Sequence, residues 1–219
     1  MPDGTILVLP GGGYRAHAPH EAEPVAEWLT SLGWRARIVR YPIESKHPAP
    51  LNAVRDAIAA ERASGTNTVG VLGFSAGGHL AGHAALAPDS TRDQRPDFAI
   101  LAYAVTSMLV APHVGSRTVL VGEDDELAAQ VSLPLLAGHE APPMFLWHTV
   151  SDPVVPVQHS YLLAQALATA GAAHELHVFS GNVHGIGLAE STDAAAWTGL
   201  CADWLTRWDA DVASRWRAE

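Results

Sequence analysis

Short apolar runs alternate with longer stretches of helical period along the chain, and that alternation leaves few architectures open. The runs fall at residues 5–10, 34–41, 68–72, 98–105, 143–150 and 174–179. Between them, residues 21–32 carry Val25, Trp28, Leu29 and Leu32 at helical spacing and stop at Gly33. Residues 51–64 place Leu51, Val54 and Ile58 on one face, and residues 161–170 and 191–208 read as two later helices. Strands separated by helices of about ten residues or more need crossover connections, which are right-handed and produce parallel pairing. The expected product is a mostly parallel sheet covered by helices on both faces. Residues 106–142 break the rhythm with Pro112, Gly115, Gly122, Pro134, Gly138 and Pro142-Pro143. That segment reads as short helices in a loop over the sheet's edge, or as a small lid, and not as a separate domain. With no repeat or low-complexity linker, residues 1–219 read as one domain, a length that suits one substantial core.

One junction in this pattern carries chemistry. The run at 68–72 leads into Gly73-Phe74-Ser75-Ala76-Gly77, and residues 78–86 are helix-compatible. Strand, sharp turn and helix form the setting in which G-x-S-x-G becomes a nucleophile elbow. The glycines remove Cβ atoms that would strike the neighbouring strand and helix. Ser75 is thereby expected on strained backbone, its hydroxyl at the start of a helix whose dipole favours negative charge.

In open parallel sheets, functional residues gather where strands end. Two more strand ends supply partners: Asp152 follows the run at 143–150, and His184 follows the last run, beside Gly185 and Gly187. A serine hydroxyl is a weak nucleophile at neutral pH, so His184 would take its proton and later return it to the leaving group. Asp152 would hold the imidazole in the useful tautomer. The order Ser, Asp, His distinguishes this arrangement from other serine hydrolases. A loop-capping role for Asp152 is the alternative; Asp124, Asp125 and Asp193 are less well placed in the chain.

Upstream, Pro10-Gly11-Gly12-Gly13-Tyr14 follows the first run. Consecutive glycines let the backbone approach a tetrahedral intermediate and present amides to its oxyanion; the candidate donors are the Gly12, Gly13 and Ala76 N–H groups. A phosphate cradle would need G-x-G-x-x-G or Gly-Lys-Ser/Thr, and neither is present; a plain tight turn is the remaining alternative. Tyr14 and His79 are expected to touch substrate. Of the 12 histidines, His79 and His83 on the elbow helix also suit core or groove lining, and His148 reads as a satisfied buried residue. His17 with His20, and His174 with His177, lack a third ligand at a recognisable spacing, so no metal or other cofactor is expected.

Composition narrows the partners. A formal charge of −10 with 13 scattered Lys and Arg disfavours nucleic acid and anionic membrane surfaces. Cys201 stands alone, which rules out an intrachain disulfide or CxxC chemistry. The start shows no basic n-region with an apolar h-region, and no stretch approaches the ~20 apolar residues of a membrane span, so a cytoplasmic location is expected.

Taken together, Pro10 to Tyr14, GFSAGGHL from Gly73, Pro142 to Trp147 with the residues from Asp152, and HGIGLA from His184 resemble the α/β-hydrolase superfamily. Within it, the resemblance is to small acetyl esterases of the BD-FAE-like or acetylxylan-esterase-like group. It implies a serine carboxylesterase acting on short acyl esters, commonly acetyl, of sugars or small alcohols, with Ser75, Asp152 and His184 as triad. Pro10 stands where that group's glycine loop usually has histidine. The first strand begins at residue 5, which implies a minimal sheet of about six strands, little or no cap and an open pocket. Residues 103–107 also depart from the group's proline-containing version. A prolyl-oligopeptidase-type serine peptidase is the rival enzyme, although 219 residues hold no propeller. A non-catalytic hydrolase relative that binds a ligand is the other alternative.

Overall fold

The computed structural model describes residues 4–207. Six strands, β1 (Gly4–Leu9), β2 (Arg35–Ile38), β3 (Thr68–Phe74), β4 (Phe98–Ala102), β5 (Met144–Thr149) and β6 (His174–Phe179), form one sheet in the order β2-β1-β3-β4-β5-β6. Every neighbouring pair is parallel. Both faces are covered. Leu7 and Leu9 of β1 and Val69 and Val71 of β3 pack with α2 (Ala49–Ala63), α3 (Ser75–Leu86) and α7 (Gln158–Thr169). The alternate residues Ile6, Val8, Leu72 and Phe74 face α1 (Glu23–Ser31) and α8 (Ala196–Thr206). Burial of both sets explains why these strands read as continuous apolar runs.

Several boundaries differ from the expected ones, each for a local reason. The strand expected at 34–41 keeps four residues: β2 is an edge strand, and Tyr41 turns inward to donate its hydroxyl proton to the Pro10 carbonyl at 2.6 Å. β4 stops at Ala102 rather than at residue 105 because Tyr103 takes a left-handed φ of 36°. The helix expected from residue 191 starts at Ala196, after Ala189 and Ser191 with φ of 59° and 62° and a 3₁₀ turn over Asp193–Ala195. Its expected last residue, Trp208, lies outside the described residues. The segment 106–142 holds three short helices, α4 (Val114–Leu120), α5 (Asp125–Gln130) and α6 (Leu133–Leu136). Leu133 anchors it to the core, its N–H donating to the Thr106 carbonyl at 2.8 Å. Among the described residues, no helix is long and apolar enough to cross a membrane.

The strand order has one functional consequence. From β1 the chain moves outward to β2, then returns past β1 to β3 and continues the other way. The connections after β1 and β3 therefore diverge at neighbouring strand ends, where Leu9 pairs in register with Gly73. A crevice at such a switch point is where open parallel sheets bind ligands. The glycine loop leaves β1 at this point, and Ser75 leaves β3.

Candidate active site

Helix α3 begins at Ser75 itself, three residues earlier than its apolar pattern suggests. The turn is as sharp as the pentapeptide requires. A Cβ on Gly73 would collide with the Gly77 carbonyl, and one on Gly77 with the Leu9 carbonyl of β1. Ser75 takes φ of 52°, a left-handed conformation that costs on the order of 1–3 kcal/mol for a non-glycine residue. Its carbonyl accepts the Val105 N–H at 3.2 Å, which ties the strained turn to the segment that follows β4.

The structure brings Ser75, His184 and Asp152 together. The Ser75 hydroxyl lies 2.9 Å from His184 Nε2, and His184 Nδ1 lies 2.7 Å from Asp152 Oδ2. An ionised carboxylate can only accept, so Nδ1 carries the proton and Nε2 is left to accept from the serine. The other oxygen, Asp152 Oδ1, accepts the Val154 and Val155 N–H groups at 2.8 and 2.9 Å. Burial pushes the Asp152 carboxyl up, but hydrogen bonds from His148, His184 and Val155 outweigh it and hold the group well below the carboxylate range.

This shift has a pH consequence. In acid the unfolded chain binds the Asp152 proton before the folded one does, so stability rises with pH there. The contribution is complete well above the usual 3.8 and fades as pH falls through the lowered folded value. Thermal midpoints of Asp152→Asn should therefore fall less steeply than those of the wild type between about pH 5 and pH 3. Parallel curves would remove Asp152 from the acid limb.

The glycine loop wraps beside Ser75. Gly12 and Gly13 have φ of 127° and 65°, and a Cβ on Gly12 would strike the Ala16 carbonyl. The Gly11 N–H is taken by Glu21 Oε2 at 2.7 Å. Among the described residues, the Gly12 and Gly13 N–H groups have no acceptor. Ala76 is the second residue of α3, in the first turn, where N–H groups have no intrahelical partner. These donors can stabilise an alkoxide forming at a carbonyl attacked by Ser75.

Tyr14 and His79 require a correction. Both side chains are fully buried, with 0% exposure, and their polar atoms are used internally. The Tyr14 hydroxyl donates to His79 Nδ1 at 2.6 Å, and His79 Nε2 donates to the Val131 carbonyl at 2.8 Å. Burial lowers the His79 pKa to about 4, with the Val131 bond opposing and neighbouring histidines adding to the shift. Neither residue offers a group to a ligand; together they pin the glycine loop to α3 and to the segment beyond α5.

His148 is the buried, satisfied residue expected, with Ser160 Oγ 2.7 Å from Nδ1 and the Val155 carbonyl 2.9 Å from Nε2. The sequence does not reveal that Nε2 also sits 3.4 Å from Asp152 Oδ2. The four-residue spacing between a buried histidine and a strand-end carboxylate is the available signal. His83 stacks on His47 at 5.3 Å and His17 packs edge-on against Tyr41 at 4.7 Å. No three His, Cys, Asp or Glu side chains among the described residues cluster as metal ligands. Cys201 is buried on α8, and burial pushes its thiol pKa well up, so it is not a nucleophile at neutral pH.

Comparison with known proteins points to a family of hydrolases. The sequence profile described as "Prolyl oligopeptidase family" matches residues 48–210. Endo-1,4-beta-xylanase B of Butyrivibrio fibrisolvens is 32% identical over 89% of the chain, and an acetylxylan esterase of Xylanibacter ruminicola is 30% identical over 85%. The chain spans only 34% and 42% of those two relatives. Among solved structures, an acetyl ester-xyloside bifunctional hydrolase from Caldicellulosiruptor lactoaceticus superposes with a TM-score of 0.87 at 40% identity. That match covers 93% of this chain and 82% of the other.

Proposed function

The chain belongs to the prolyl oligopeptidase family of α/β hydrolases, and on that premise we propose that it is a serine carboxylesterase removing short acyl groups, acetyl first, from carbohydrates. One observation carries the reading: His184 bridges the Ser75 hydroxyl at 2.9 Å and the Asp152 carboxylate at 2.7 Å. In the reaction, Ser75 Oγ attacks the ester carbonyl while His184 Nε2 takes its proton. The Gly12, Gly13 and Ala76 amides receive the oxyanion. Collapse breaks the bond to the alcohol, and His184 protonates that departing oxygen. Water, deprotonated by His184, then releases the acid from the acyl-serine and restores Ser75. Asp152 holds the ring and offsets its positive charge throughout. The acetyl and sugar preference rests on relatives named for acetyl esters and xylosides.

A substrate series tests the proposal. Rates should fall from p-nitrophenyl acetate through butyrate to octanoate, by about tenfold or more overall, as expected where each methylene counts in a small pocket. Acetylated xylo-oligosaccharides should release acetate, and a fluorophosphonate probe should label Ser75. Turnover of aminoacyl anilides but not acetyl esters would favour a peptidase. A protein that the probe leaves unlabelled would be a binding protein.

A further inference from the structure

Glu21 is a carboxylate with 1% exposure and, among the described residues, no Lys or Arg within 4.0 Å; His20 Nε2 lies 3.8 Å away. A carboxylate taken out of water is costly unless donors surround it, and here two neutral ones do. Oε2 accepts the Gly11 N–H and Oε1 the Tyr103 hydroxyl, each at 2.7 Å. Burial and the Glu21 charge raise the Tyr103 pKa well above its ordinary value, so the phenol keeps the proton it donates. Its oxygen accepts the Gly187 N–H at 2.8 Å. One residue before Glu21, His20 Nε2 donates to the Gly185 carbonyl at 2.8 Å. The loop bearing His184 is thus held at Gly185 and at Gly187, on either side of Ile186. The turn that holds it also grips the glycine loop through Gly11.

We propose that Glu21, acting through Gly11 and Tyr103, is a positioning residue that fixes the oxyanion loop and the His184 loop relative to each other, a role that rests on the esterase reading above. The three joined segments are far apart in the chain, so no local element could set their spacing. The Tyr103 ring also packs edge-on against the His184 ring, with centroids 5.0 Å apart. Among the described residues, His184 Nε2 bonds to Ser75 and Nδ1 to Asp152, so no group of this network hydrogen-bonds to the triad atoms. It sets where the proton acceptor stands relative to the oxyanion donors, and misplacement by about 1 Å can cost on the order of 10²-fold in rate.

Kinetics of Glu21→Ala, Glu21→Gln and Tyr103→Phe on p-nitrophenyl acetate, read beside their thermal midpoints, test this role. Glu21→Ala and Tyr103→Phe should lower kcat by about 10- to 100-fold with KM nearly unchanged. Glu21→Gln, whose carbonyl oxygen can still accept the Gly11 N–H, should recover part of the loss. Amide hydrogen exchange at Gly187 should quicken in Tyr103→Phe. Unchanged kcat, or a loss that follows only the unfolded fraction and is not relieved in Glu21→Gln, would overturn the role. A wild type that hydrolyses no ester defeats the esterase reading instead, and unchanged Gly187 exchange would then overturn the clamp on its own.

Discussion

Ser75→Ala should remove almost all ester hydrolysis, with kcat falling by about 10⁴- to 10⁶-fold, as when the nucleophile of a serine hydrolase is removed. The fold should persist. Among the described residues, the Ser75 side chain bonds only to His184, and alanine keeps the Cβ that already fits at φ of 52°. The far-ultraviolet spectrum and thermal midpoint should therefore stay close to wild type, and the fluorophosphonate adduct should disappear from the intact mass. Some rate above the uncatalysed reaction should survive, because the Gly12, Gly13 and Ala76 donors are untouched. A variant within about tenfold of the wild-type rate would show that another group attacks the ester.

Asp152→Asn should lower kcat by about 10⁴-fold with little change in fold, and the reason lies in which way the amide must face. Asp152 Oδ1 accepts two backbone N–H groups, from Val154 and Val155. An asparagine keeps those bonds only with its oxygen on that side, which turns its NH₂ toward His184 Nδ1. The ring must then accept at Nδ1 and carry its proton on Nε2, facing Ser75, where it cannot act as base. Crystallography or NMR of the His184 tautomer, combined with kcat, checks this directly. Near-normal activity with Nδ1 still protonated would mean that Asp152 does not set the tautomer.

The elements legible in the sequence are those whose signals are local. The elbow is one: Gly73 and Gly77 are required by contacts within a few residues and one neighbouring strand, so the pentapeptide betrays them. The β6 boundaries are another, since residues 174–179 carry a strand pattern with turns on both sides. Boundaries move where a single residue adopts a conformation that its type does not advertise, as at Tyr103 and Ser191. Tyr14 and His79 are misplaced by a reading of their chain neighbourhood, a glycine loop and the helix after the elbow, whereas their hydrogen bond crosses 65 residues and closes inward. Glu21 offers no sign at all. A lone carboxylate near a helix start reads as surface charge, and only the folded chain places Gly11 and Tyr103 against it.

By itself, the sequence determined that strands and helices alternate, that a serine stands on a glycine-flanked turn, and that an acid and a histidine follow later strands in order. Those properties depend on side-chain size, polarity and period, which act over a few residues. The tertiary structure decided which histidine nitrogen meets Ser75, which backbone amides are left without acceptors, and how a buried carboxylate joins two loops. Those depend on distances of about 3 Å between groups up to 165 residues apart, which only the strand order and the packing of both faces can set.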